Sequence, residues 1–275
     1  MNFIKKGLSS FQLKMIALVI MTVDHLAAYR VLPVSGEVNI AMRIVGRAAA
    51  PLFLFLLADG LRHTRSKIRY TLRLYIAGAA LQAVNEIARV FLLQQGTGLQ
   101  IGNIFQTLFY AALYITCLDQ LHTPHSTLHT KTKSAAVMAV PFLLVFAHIY
   151  LPGFSASLNV LFPSPFSVEY SFIFVLLGVA WYFLNSKIAA CAVLAVLSLF
   201  GALVDHRIFA NPYGFTFEHM FYPIQWLMVL ALPFILLYNG EKGKLRLKYL
   251  FYAYYPAHQY LLFILGLYLS QRQIL

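Results

Sequence analysis

Nine long apolar runs follow one another along the chain, separated by short polar stretches that carry most of its charge. They cover residues 11–32, 39–60, 72–93, 101–121, 134–151, 170–184, 188–204, 219–238 and 249–269. A helix needs roughly 17–25 apolar residues to cross a ~30 Å hydrocarbon core, and most of these runs meet that length. The sixth and seventh are shorter and joined by a very tight link at residues 185–187. The pattern predicts an all-α protein: a polytopic membrane helical bundle of about nine transmembrane helices.

Composition removes the main alternative. Only 11% of the 275 residues are charged and 60% are hydrophobic, with a mean hydropathy of +0.72. Soluble domains carry about 25% charged residues. So little polar sequence separates the runs that residues 1–275 read as a single membrane-embedded domain. The formal net charge of +12 does not point to nucleic acid, because the basic residues sit in short loops where they encode topology. Lys5, Lys6, Lys14, the stretch from Arg62 to Arg73, Lys131, Lys133, Lys187 and the stretch from Lys242 to Lys248 share one side. Their excess places the N-terminus in the cytoplasm. The first run lacks a small-residue cleavage site and contains Asp24 and His25, which predicts a retained helix and no cleavable signal. Cys117 and Cys191 fall inside apolar runs, as packing residues would. The aromatic, Pro- and Asn-containing loops at 152–169 and 205–218 suit a mouth for an acceptor on the outer side.

Ionisable groups inside a bilayer are costly and mark functional sites. Asp24 and His25 lie 11–12 residues above the cytoplasmic end of the first run, or roughly 17–18 Å up at ~1.5 Å per residue. In the second run Arg43 and Arg47 are an i, i+4 pair on one helix face. Pro51 removes a helix hydrogen bond and crowds the carbonyl of Arg47, so a bend is expected there. Adjacent helical residues do not face each other, so Asp24 is expected to pair with Arg47 or Arg43 rather than orient His25. Arg43, nearer the outer face, has the alternative of extending to the interface. In the last run Tyr255 and His258 share a face beside Pro256, at a similar depth. Glu86 either joins this cluster or pairs with Arg89, and Gln106 and Gln225 read as interhelical hydrogen bonders. His122, His125 and His129 lie in a Ser/Thr-rich loop, and no metal site is expected. Arg62, His63 and Arg65 form a basic patch suited to anionic lipid or to the phosphates of a nucleotide-like ligand.

Residues 13–25 (LKMIALVIMTVDH), 42–60 (MRIVGRAAAPLFLFLLADG) with Arg62-His63-Thr64, and Tyr238-Asn239-Gly240 with 251–258 (FYAYYPAH) resemble the TraX family. That family is named for the enzyme that N-acetylates conjugative pilin, and it is similar to a wider superfamily of transmembrane acyltransferases. The resemblance implies acetyl transfer from acetyl-CoA to an amine or hydroxyl beyond the outer face of a bacterial cytoplasmic membrane. Pilin or a surface glycan would be the acceptor. It further implies that His25 is the general base or the covalent carrier of the acetyl group, Arg47 the oxyanion donor, and His258 the group that positions the thioester or protonates the leaving thiolate. Asp24 belongs to the same motif as His25. Arg43 and Tyr255, with Arg62, His63, Arg65, Lys242 and Lys244 at the cytoplasmic face, would hold acetyl-CoA. Two rivals come from other classes: a transporter or flippase using the same buried charges, and a non-enzymatic pilus-assembly factor.

Overall fold

Each of the nine apolar runs carries helix in the computed structural model of the protein, which describes residues 7–93, 101–150, 160–161, 163–166, 168–208, 224–243 and 249–272. The helices are α1 (Ser10–Ala28), α2 (Gly36–Gly46), α3 (Ala49–Arg62), α4 (Lys67–Leu93) and α5 (Ile104–His122). They continue with α6 (Leu128–Tyr150), α7 (Ser171–Leu184), α8 (Lys187–Ile208), a 3₁₀ helix (Gln225–Ala231), α9 (Leu232–Leu237) and α10 (Leu250–Arg272). The outer loops expected at 152–169 and 205–218 lie largely outside the described residues, as do Lys244 and most of the loop from Lys242 to Lys248.

Two helical stretches among the described residues are long and apolar enough to cross a membrane: Ser10–Ala28, and Gly36–Arg62 taken through its break. Three further apolar helices are shorter. The sequence expectation of nine crossings is therefore met in full only at the level of helix. Polar content is the physical reason. Helix α10 carries Tyr252, Tyr254, Tyr255, His258, Gln259 and Tyr260, and α5 carries Gln106, Thr107, Tyr110, Tyr114, Thr116 and Asp119.

The chain divides into two compact units, Met1–Leu56 with Leu184–Leu275, and Leu57–Phe183. In the first, α1 starts at a capping box. The Gln12 amide N–H donates to the Ser9 hydroxyl, and the Gln12 side-chain oxygen accepts from the Ser9 N–H at 2.9 Å. A single parallel bridge joins Leu8 to Tyr238, and Lys187 Nζ donates to the Tyr238 carbonyl at 2.6 Å. Helix α1 packs along α2, and α8 along the 3₁₀ helix and α9. Ser186 caps α8, and Asn185 before it takes a left-handed φ of 47°, which is how so short a link turns the chain.

The second run breaks where Pro51 predicts. Helix α2 ends at Gly46, and the N–H groups of Arg47 and Ala48 turn inward to the carbonyls three residues back, at 3.1 and 3.2 Å. Helix α3 resumes at Ala49. Proline cannot supply the N–H that the Arg47 carbonyl would otherwise accept, so the ladder tightens into a turn before restarting.

In the second unit α4 packs on α5, and α5 on α6. A polar ladder tracks the first of these interfaces. Asn103 Nδ2 donates to the Gly78 carbonyl (2.9 Å), Gln106 Nε2 to Gln82 Oε1 (3.2 Å), and Asn85 Nδ2 to the Ile101 carbonyl (3.2 Å). Gln106 is thus the interhelical hydrogen bonder the sequence suggested, and Glu86 pairs with Arg89 at 2.7 Å. At the other end of α5, Asp119 accepts from Lys67 Nζ and from the Tyr182 hydroxyl. Burial works against the Lys67 ammonium, but its bonds to Asp119 and Tyr182 outweigh that and hold its pKa above the ordinary lysine value.

Candidate functional site

The site grows from the break between α2 and α3. Arg47 is the residue at that break and is 5% exposed. Its Nη2 donates to Asp24 Oδ1 at 2.6 Å, its Nε to the Arg43 carbonyl at 3.1 Å, and its Nη1 to Gln225 Oε1 at 3.1 Å. Arg43, one turn earlier on the same face, donates from Nη1 to Asp24 Oδ2 at 2.8 Å. One buried carboxylate is therefore clamped by two guanidiniums, and the expected ion pair of Asp24 forms with both arginines instead of one. The two charges of opposite sign compensate, and the second guanidinium leaves the cluster with a net charge of +1. Arg43 is the more open of the pair, 24% exposed, and its Nε and Nη2 hydrogens have no partner among the described residues.

Close approach of α2 to α1 makes this clamp possible. A Cβ on Gly46 would run into the carboxylate and the β-carbon of Asp24. Gly46→Ala is expected to destabilise the protein by about 1–3 kcal/mol, the usual cost of overpacking, read as a lower unfolding temperature in detergent. An unchanged unfolding temperature would mean that the helices separate at no cost and that the contact is loose.

His25 points roughly 100° around α1 from Asp24, as neighbours on a helix do. Its Nδ1 lies 2.7 Å from Nε2 of His258, and the two rings stack with centroids 4.9 Å apart. The proton positions follow from the partners. His258 Nδ1 is 2.7 Å from the Tyr254 carbonyl, which only accepts, so His258 carries its hydrogen on Nδ1. In a neutral His258, Nε2 is then an acceptor, and His25 must donate to it from Nδ1. The remaining nitrogen, His25 Nε2, holds a lone pair with no hydrogen-bond partner among the described residues. A base positioned by a second group has this arrangement.

The structure joins Asp24 to Arg43 and Arg47 and joins His25 to His258, where similar depth in the sequence left open which of these groups meet. Tyr255, expected on the His258 face, is 1% exposed, and its ring meets that of His258 edge-on, with centroids 6.0 Å apart. The flat stack belongs to Tyr254, at 4.8 Å and 11°. Gln225, expected to bridge helices, does so on Arg47 itself; its amide orientation is set because the guanidinium requires the oxygen. Gln259 was not anticipated, and its Oε1 accepts from the Tyr29 hydroxyl at 3.1 Å. Its neighbour His258 and the turn register with Tyr255 were the only sequence signals available for it.

The basic patch divides. Arg62 donates from Nε to the Tyr182 carbonyl at 3.1 Å and from Nη2 to the Trp181 carbonyl, and its Nη1 is 3.7 Å from Asp59. It therefore satisfies last-turn carbonyls of α7, a structural task that competes with phosphate binding. His63 Nδ1 donates to the Asp59 carbonyl at 2.9 Å and is exposed. Arg65 and Lys242 are exposed.

The family described as TraX protein matches residues 9–267. The chain is also similar to a protein of Dichelobacter nodosus described as "Probable fimbrial assembly protein FimC, serogroup H1", with 28% identity over 264 residues, 91% of this chain and 92% of that one. No solved structure matches it. The family match takes in every residue of the cluster, from Asp24 and His25 in α1 to His258 in α10, and this chain belongs to the TraX family.

Proposed function

We propose that the chain is a multi-pass enzyme of the bacterial cytoplasmic membrane that moves an acetyl group from cytoplasmic acetyl-CoA to an amine or hydroxyl at the outer face. The observation that carries this reading is the ordered pair His25–His258, which leaves one imidazole lone pair open beside a cluster with an excess positive charge. In the reaction the acceptor's proton passes to His25 Nε2 as its nitrogen or oxygen bonds the acetyl carbon. The carbon–sulfur bond breaks, and the proton goes to the departing thiolate, giving the acetylated acceptor and free CoA. Negative charge develops on the carbonyl oxygen during that step, and fixed donors in a low-dielectric site stabilise it strongly. Arg43 suits this role better than Arg47, because Arg47 spends its donors on Asp24, Gln225 and the Arg43 carbonyl while Arg43 keeps two groups open. This reverses the roles that the resemblance implied. His258 orients His25 instead of touching the thioester.

The printed description of the Dichelobacter relative favours a second reading, an assembly factor that binds a pilin-like partner without chemistry. Pilin fits both readings, as one candidate acceptor in the first and as the bound partner in the second. A test on purified protein in lipid vesicles separates them, using radiolabelled acetyl-CoA with a pilin peptide or a glycan fragment as acceptor. Acceptor labelling that requires His25 supports the enzyme. Pilin binding that is retained in Arg43→Ala and His25→Ala, with no label transferred to either acceptor, supports the assembly factor. Substrate-driven uptake into the vesicles would favour a transporter.

A further inference from the structure

The hydroxyl of Tyr254 lies 2.7 Å from Thr22 Oγ1, and Thr22 Oγ1 lies 2.8 Å from the Leu18 carbonyl. Threonine has one hydroxyl hydrogen, and a carbonyl only accepts, so Thr22 donates to Leu18 and Tyr254 must donate to Thr22. Tyr254 therefore acts on the histidine pair at three points. Its ring lies flat on His258, its carbonyl takes the His258 Nδ1 hydrogen, and its hydroxyl anchors that ring to α1 one turn before His25. Every hydrogen from Leu18 to His25 then points in one determined direction. Pro256 interrupts the α10 ladder within the same turn, so the helix backbone alone holds His258 less firmly than an unbroken one.

We infer that Tyr254, with Thr22 as its anchor, is the positioning residue that fixes the ring plane of His258 and through it the open nitrogen of His25. This rests on the acetyl-transfer reading for its kinetic consequence but not for its geometry. Tyr254 touches no reacting atom; it acts through His258.

Two kinds of readout keep the inference and the enzymatic reading apart. Nitrogen-15 NMR of the imidazoles, assigned by single-histidine variants, reports tautomer and hydrogen bonding whether or not the protein is an enzyme. In Tyr254→Phe the stack remains and only the tether is lost, and in Thr22→Val the same tether is removed from the other end. Both are expected to shift the His258 Nδ1–H signal in the same direction, and the double variant no further. Where transfer activity is present, kcat should fall by about tenfold, the worth of one hydrogen bond, with the KM for acetyl-CoA unchanged. Tyr254→Ala, which also removes the stack, should shift the signal further. Imidazole spectra identical to wild type in Tyr254→Phe and Thr22→Val would overturn the inference. So would independent, additive effects of the two substitutions. Absence of transfer activity with shifted imidazole signals would instead overturn the enzymatic reading and leave the tether standing.

Discussion

Replacing His25 by alanine is expected to lower acetyl transfer by roughly 10²–10⁴-fold, the usual contribution of a positioned general base, while the protein still folds and inserts. Folding should survive because His25 is not part of the charge clamp. Among the described residues its ring's hydrogen-bond partner is His258, and its half-buried ring leaves room for solvent or lipid when truncated. His258→Ala should cost less, because His25 keeps its basic nitrogen and loses only its orientation. The ordering of these two variants is the informative result, measured as initial rates of label transfer at saturating acetyl-CoA. If His258→Ala proves the more damaging, His258 touches the reacting atoms and the assignment of roles is inverted. If His25→Ala retains wild-type rates, the histidine pair is structural.

Asp24→Ala is expected to be the most destabilising single change in the cluster, by about 3–5 kcal/mol, the range for breaking a buried ion pair from one side. The loss is large because two guanidiniums, those of Arg43 and Arg47, would remain without their carboxylate, one of them 5% exposed. Asp24→Asn should fall between wild type and alanine, since it retains the shape of the carboxylate and one acceptor oxygen. Combining Asp24→Asn with Arg43→Gln should recover part of the loss, because the second substitution removes the charge that the first left unbalanced. Thermal unfolding of the detergent-solubilised protein reads all three. If Asp24→Ala unfolds within a degree of wild type, the pairs contribute nothing to stability. The carboxylate would then serve only to set the charge beside His25.

Several features of this site are legible in local sequence. Arg43 and Arg47 share a face because four residues is close to one helical turn, and the structure puts both on Asp24. Pro51 places the break at Arg47 because a missing N–H acts at a known offset. Asp24 and His25 diverge because neighbours on a helix point in different directions. The helical content of the apolar runs is equally local, since period and length are properties of the segment itself. Length and apolarity sufficient for a membrane crossing are met by two stretches among the described residues, because tyrosines, amides and hydroxyls lower the hydropathy of helices such as α5 and α10.

Local sequence therefore sets where each apolar run is helical, which residues share a face and, at Pro51, where a helix breaks. Which faces meet is a matter of packing between helices distant in sequence. Nothing in the sequence joins His25 to His258, 233 positions away, or Arg47 to Gln225, 178 positions away. Tyr254 and Tyr255 stand at i−4 and i−3 from His258, and both offsets lie on its face; the rotation of α10 against α1 selects Tyr254 for the stack. Arg62 looked like a phosphate ligand because a loop-side guanidinium does, and it is the last-turn carbonyls of α7 that occupy it. Helical period fixes angles within a segment to about one residue, whereas the angle between segments is set by side-chain packing over the whole interface.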